Sequence, residues 1–355
     1  MQQFPVFKTK IPGKTKKFDL SNPKEAQEYF QYKAGDEIKK LKKYLEKNTF
    51  VAYLLGKKSA GKGTYSKIFT SIFGADKVAH ISVGDVVRSV DEEMADPKRK
   101  AELIEFLKKN YRGFLSLEEI LKSQEKRGTG KPLLPTEYIL ALLKREIERA
   151  GKKVLFLDGL PRTLDQVSYS LFFRELIGYR DDPDMFILFQ VPEIIIDERI
   201  KHRVVCPLCN SPHNYKLHMS EYQEYDEKEG KFYLLCDNPK CKKVRMIRKE
   251  GDELGIEPIR ERLINDGKLI EQAFSLYGVP KVLLWNSVPV SEAKEIVDDY
   301  ELTPEFILEH AGGGKVKVIQ RPWVIKDDVG VESYSLMPQA VSLSMIKQIA
   351  DVLDL

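Results

Sequence analysis

Cysteine is scarce in this 355-residue chain, with four in all. They fall between Cys206 and Cys241, so no disulfide framework can staple the rest of the fold, and a reducing compartment is expected. Long apolar runs are also missing. None approaches the ~20 residues that cross a bilayer, and the N-terminal MQQFPVFKTKIPGKTKKF lacks the apolar segment of a signal peptide. The expected location is therefore the cytoplasm, with no membrane partner. There is no large excess of one charge either: the formal net charge is +4, from 58 basic and 54 acidic residues. Lysine and glutamate mix along stretches such as DEIKKLKKYLEK at 36–47, the pattern of a solvated helix face rather than of a nucleic-acid-binding surface. No repeat of solenoid length occurs. With 42% apolar and 32% charged residues, the chain has the composition of a globular protein able to bury a large core.

Short apolar runs at 50–55 (FVAYLL), 78–82, 153–157 and 185–191 predict strands. Helical patterns at 65–73, 136–150 and 192–201 separate them. This alternation predicts an α/β fold, a central parallel sheet covered on both faces. One or two helices are expected between Lys24 and Lys47, with Ser21 or Asn22 and then Pro23 at the start. The excursion 86–135, with helical candidates at 98–111 and 116–127, is too long for a simple crossover. Further on, a helix near 291–300, strands at 316–320 and 323–326, and a helix at 342–353 are predicted. The resulting division is a helical extension (1–45), core segments 46–85 and 136–203, an insertion (86–135), a cysteine-bearing insertion (204–250) and a final core segment (251–355).

GKKSAGKGT, Gly56 to Thr64, follows the first strand and opens a helical pattern. The spacing Gly56-x4-Gly61-Lys62-Gly63-Thr64 is that of a phosphate-binding loop, apart from the glycine between lysine and threonine. Backbone N–H groups of such a loop surround phosphate oxygens, Lys62 adds a compact positive charge, and Thr64 brings a hydroxyl. Ser59 must accept the backbone angles that a glycine would adopt there. Lys62, Arg88, Arg162, Arg203, Arg248 and Arg262 lie near strand ends or beside the insertions. Guanidinium forks there could grip phosphate as a lone ammonium cannot.

The motifs GKKSAGKGT (56–64), HISVGDVVR (80–88), LDGLPRTLDQ (157–166), ERIKHR (198–203) and RKEGDELGIEPIRERL (248–263) resemble, in order, those of the adenylate kinase family of P-loop nucleoside monophosphate kinases. The resemblance covers roughly 48–265. It implies ATP as phosphoryl donor, magnesium with it, and a nucleoside monophosphate, AMP first, as acceptor. A monomer is expected, although the sequence does not fix the oligomeric state. Gly56, Ser59, Gly61, Lys62, Gly63 and Thr64 would cradle the donor phosphates, and Arg199 would lie against the donor base. Arg88 and Arg162 would bind the acceptor phosphate, and Gln166 would read its base beside Val83. Arg203, Arg248 and Arg262 would converge on the phosphoryl group in transit. Asp158 would orient magnesium-bound water, with Asp85 a second candidate for that role. The sequence departs from the family pattern at several points. Val83 stands where a threonine is usual, Lys58 and Ser59 replace a proline and a glycine, and Asp252 or Glu253 would supply the acidic residue of the returning segment. The donor-base loop would lie around Asp328 to Val331.

Cys206-x2-Cys209 and Cys236-x4-Cys241 form two close pairs, each with turn residues, and four thiolates suit one tetrahedral structural zinc. They sit where the family carries a zinc-bearing lid, and a rigid lid would bring Arg203 and Arg248 into the site together. His213 and His218 would be surface groups. Two alternatives stay open: an acceptor with a different base, and a nucleotide-dependent nucleic-acid-binding or regulatory protein.

Overall fold

The computed structural model describes residues 4–125, 134–163, 166 and 181–355. Helix α1 (Pro23–Tyr44) starts at Asn22, whose side chain accepts the N–H groups of Lys24 and Glu25, and it kinks at Ala34. The predicted one or two helices are thus one element with a break. Strand β1 (Val51–Gly56) leads through the glycine-rich loop into α2 (Lys62–Phe73), and β2 (Val78–Ser82) follows. The excursion forms α3 (Val83–Ala95), α4 (Pro97–Asn110), α5 (Leu117–Glu125) and α6 (Thr136–Ala150). Residues 126–127 of the predicted 116–127 helix lie outside the described residues, as do 127–133 of the turn that follows. Strands β3 (Val154–Asp158) and β4 (Asp184–Gln190) complete the predicted set, and α7 (Glu193–Lys201) follows β4.

The cysteine segment holds β5 (Arg203–Val205), β6 (Pro212–Asn214), β7 (Tyr222–Asp226), β8 (Lys231–Leu235) and β9 (Ile247–Arg248). Then come α8 (Arg260–Ser275), β10 (Lys281–Trp285), β11 (Ser287–Pro289) and α9 (Ala293–Ile296). The chain closes with β12 (Pro304–His310), β13 (Val316–Pro322), β14 (Val324–Lys326), β15 (Glu332–Ser335) and α10 (Pro338–Val352). The helix expected near 291–300 is corrected to the single turn α9 and a 3-10 turn at Asp299–Glu301. The interruption has a cause: the Ile296 carbonyl accepts the backbone N–H groups of Thr9 and Lys10, and Val297 is extended.

The central sheet is parallel throughout, in the order β10–β4–β1–β3–β2. Its fifth strand, β10, was not among the predicted strands. Alternation along β1 sends Ala52 and Leu54 to one face and Val51, Tyr53 and Leu55 to the other. The first face is covered by α1, α2, α7 and α10, the second by α3 to α6 and α8. Register places Leu54 opposite Asp158, and Asp158 opposite Ser82, so three strand ends open on one edge beside the glycine-rich loop.

The N-terminal extension shares the main core. Phe18, Leu20, Tyr29 and Phe30 are buried in it, and α1 lies on α10. Within this packing Lys33, with its side chain 1% exposed, pairs at 2.7 Å with Glu301, which is 0% exposed, and at 2.6 Å with Asp298. Thr9 and Tyr29 hydroxyls donate to the same Glu301 carboxylate. A buried carboxylate is tolerated only with such partners. Lys33→Met should therefore cost about 3–5 kcal/mol in urea unfolding, and adding Glu301→Gln should return part of that loss. An unchanged midpoint for Lys33→Met would show that the cluster does not hold the extension.

Candidate active site

The glycine-rich loop is shaped by close approach. A Cβ on Gly56 would lie 2.9 Å from the Phe189 Cβ, so the end of β1 can pass β4 only as glycine. Ser59 takes φ 65°, a left-handed angle that costs a side-chain-bearing residue about 1–2 kcal/mol. Gly61, at φ 99°, turns the chain into α2. Lys62 folds back over the loop, donating to the Gly56 carbonyl at 2.8 Å and the Lys57 carbonyl at 3.3 Å. Its ammonium is also 3.7 Å from Asp158 at the end of β3. His80 Nε2 lies 4.0 Å from the other Asp158 oxygen and has no hydrogen-bond partner among the described residues. Burial pushes the His80 imidazole below its ordinary range, against the pull of Asp158.

Arg88 and Arg162 both approach Gly84. A Cβ on Gly84 would lie 3.5 Å from the Arg88 guanidinium and 3.9 Å from that of Arg162. Arg88 pairs with Asp85 one turn earlier on α3, and both are exposed. Arg162 Nε donates to the Gly159 carbonyl at 2.9 Å. Gln166 accepts the Arg162 backbone N–H at 2.7 Å and donates to Thr136 at 2.7 Å, so its amide is held inside the turn. Val83 is 1% exposed and packs toward Gly159.

Arg199 reaches the Ser59 and Ala60 carbonyls at 3.4 and 3.3 Å, and the Asn286 side chain at 3.2 Å. Asn286 in turn bonds Tyr65 and the Leu336 carbonyl, which ties β10 and the chain before α10 to the loop. Asp328 accepts the first N–H of α7, that of Glu193, at 2.7 Å and lies 3.6 Å from Lys57. Val329 and Val331 beside it are exposed.

Arg203 grips Asp252 with two bonds of 2.7 Å, and Asp252 is buried. Arg262 is half-exposed on α8, with its Nε 3.9 Å from Asp266. The Lys58 ammonium is pushed down first by burial, then by Arg262, Arg203 and Lys249. Positive groups from the loop, the returning lid segment and α8 therefore face one another. Arg248 is elsewhere. It pairs opposite the buried Val204, sits 5.7 Å over the Tyr215 ring, and lines a hollow of about 820 Å³ on the far side of the lid. Lys249 was not singled out in the sequence, nor were His80 and Asp266. Only Asp266 carried a local signal, four residues after Arg262 on one helix.

The four cysteine sulfurs lie within 4.8 Å of one another, with Cys209 and Cys236 3.6 Å apart. A tetrahedron of zinc–sulfur bonds of ~2.3 Å has edges of ~3.8 Å, so the donor set fits that ion. Ser211 draws the Cys209 thiol down to about 6, while burial and the neighbouring thiols push Cys241 up to about 12. His213 and His218 stack on each other at 4.8 Å. The hairpin β12–β13 is strapped across this lid. The Phe306 N–H donates to the Lys216 carbonyl at 2.7 Å, Gly314 N–H to Glu227 at 3.0 Å, His310 stacks on Tyr225 at 4.1 Å, and Leu308 packs on the lid core.

No protein-family profile matches the chain. It is 31% identical over 215 residues to the adenylate kinase of Thermotoga petrophila, an alignment covering 60% of this chain and 79% of that protein. The same figures hold for the adenylate kinase of Thermotoga maritima. UMP-CMP kinase 2 of Oryza sativa is 31% identical over 152 residues, 43% of this chain and 49% of that protein. The glycine-rich loop at the sheet's open edge, the facing arginines and the four-cysteine lid agree with these likenesses: the chain belongs to the adenylate kinase family and is an ATP-dependent nucleoside monophosphate kinase.

Proposed function

We propose that the chain transfers the γ-phosphoryl group of ATP to AMP, giving two ADP. The observation that supports this reading is the gathering of Lys62, Arg162, Arg203 and Arg262 around Lys58 and Asp266 at one glycine-rich loop. An acceptor phosphate oxygen forms the new bond to the γ-phosphorus while the bond to the β-phosphate oxygen breaks, and the electron pair stays on ADP. Charge spreads over the oxygens in transit, so fixed cations in a water-poor site lower the barrier without any general base. The loop from Gly56 to Thr64 holds the donor phosphates, with Lys62 across them. Arg88 and Arg162 hold the acceptor phosphate. Arg203 and Arg262 act on the group in transit, and Arg248 would join them only after a rearrangement of the lid.

Asp158 stands where a hydrated magnesium could be held beside the loop, and its hard oxygens suit that ion. Bound with ATP, magnesium supplies neutralisation of the phosphate charge. Asp252 takes the acidic role in the returning segment by orienting Arg203. The four cysteines would hold a structural zinc, because the lid's own apolar core is too small to set its shape.

A different acceptor base is favoured by one observation, the buried Val83 in place of a hydroxyl. A coupled assay with magnesium and AMP, GMP, CMP, UMP and dTMP should give the highest kcat/KM for AMP. Val83→Thr should raise that value by about 2- to 10-fold, the worth of one hydrogen bond. Turnover of none of the five would sink the proposal. Elemental analysis should find one zinc per chain, and its removal by chelation should loosen the lid and lower turnover. A verified metal-free protein with full rate and an unchanged lid would remove the structural role of the metal.

A further inference from the structure

The rim of the phosphate loop is pinned from two helices. Arg199 of α7 holds the Ser59 and Ala60 carbonyls at 3.3–3.4 Å. From α8, the Asp266 Oδ2 accepts the backbone N–H of Lys58 at 2.8 Å, the shorter of the two attachments. The residue held by Asp266 directly precedes Ser59, whose left-handed backbone persists only if its surroundings keep it there. Asp266 is 19% exposed, and its carboxyl is pushed up by burial against the opposing pull of Arg262, Lys62 and Arg162. It therefore stands among the cations gathered for the phosphoryl group, one helical turn beyond Arg262.

We propose that Asp266 is a positioning residue for phosphoryl transfer: through the Lys58 amide it sets the height of the phosphate-loop rim relative to the helix that carries Arg262. The inference rests on the phosphoryl-transfer reading of the site. The carboxylate does not touch the reacting atoms. It holds the strained Lys58–Ser59 corner, so the loop amides meet the donor phosphates at a fixed distance from the arginine.

Asp266→Asn and Asp266→Ala separate this role from a charge effect, because both remove the charge and only asparagine keeps an acceptor for the Lys58 N–H. MgATP binding, measured by calorimetry on the full chain, should be about fivefold weaker for alanine than for asparagine, the scale of one hydrogen bond. Asparagine should recover most of the kcat that alanine loses. Hydrogen exchange at the Lys58 amide should be faster in the alanine variant, with thermal midpoints close together. If alanine does not fold, Asp266→Ser, too short to reach the loop, takes its place in each comparison. MgATP affinities within twofold of each other and equal Lys58 exchange would overturn the inference. A wild-type chain that phosphorylates no monophosphate would instead defeat the proposed reaction, while the binding and exchange comparison would still decide the role of Asp266.

Discussion

Mutual repulsion among the cations of the site is the constraint on which the rest depends. At an effective dielectric constant near 20, two unit charges about 6 Å apart repel by about 3 kcal/mol. The Lys58 ammonium is pushed down first by burial, and Arg262, Arg203 and Lys249 add to the shift. The fold offsets the repulsion by giving five of these cations a carboxylate. Arg203 has Asp252, Lys62 has Asp158, Arg262 has Asp266, Lys57 has Glu193, and Arg88 has Asp85. These pairs differ in kind. Arg88–Asp85 is exposed and weak, so entering phosphate can replace it readily. Arg203–Asp252 is a two-pronged bond to a buried carboxylate, and it orients the guanidinium as much as it neutralises it.

The residues beyond the kinase-like segment follow from a second constraint, control of the lid. The lid leaves the core through α7 and β5, and Asn214 bonds back to the Glu198 and Arg199 carbonyls. Lys216 joins three parts of the chain: its ammonium is 2.6 Å from Glu198 on α7 and 3.7 Å from Glu305 on the hairpin, and its carbonyl accepts the Phe306 N–H. Any swing of the lid must carry the hairpin with it or break these contacts. The hairpin's neighbours lead to the buried cluster around Glu301, and so to α1. The two terminal additions and the lid are thus one mechanical series.

What was legible in the sequence is what local pattern determines. β1 to β4 appeared as short apolar runs because both faces of the sheet are covered, and the loop appeared because its glycines answer to backbone geometry. The four cysteines could be read as one site because ligand spacing is local. β10 was not singled out, since KVLLW resembles any buried segment until β4 is placed beside it. α3 begins at Val83 and so straddles the expected boundary before residue 86, where it was not singled out although Ser82 caps it and Asp85 stands in its first turn. Arg248 shows the limit most plainly. Its nearness to Arg203 in the lid was readable, but cross-strand pairing with Val204 puts it on the opposite face from Arg203.

The lid's core explains why a metal and a strap occur together. Its fully buried set is Val204, Cys206, Leu234, Cys236, Cys241 and Met246, and half of these are cysteines. With only Val204, Leu234 and Met246 fully buried beside the cysteines, this apolar core is too small to set the shape of the lid alone. Coordination by four thiolates would fix the two turns and, through Cys236, the end of β8, but not the far end of the β7–β8 sheet around Tyr225. There the hairpin contributes Leu308 and the His310–Tyr225 stack. Metal and hairpin would therefore act on different halves of the lid. The first would set the turns beside the strand that carries Arg203, and the second the far end of the β7–β8 sheet.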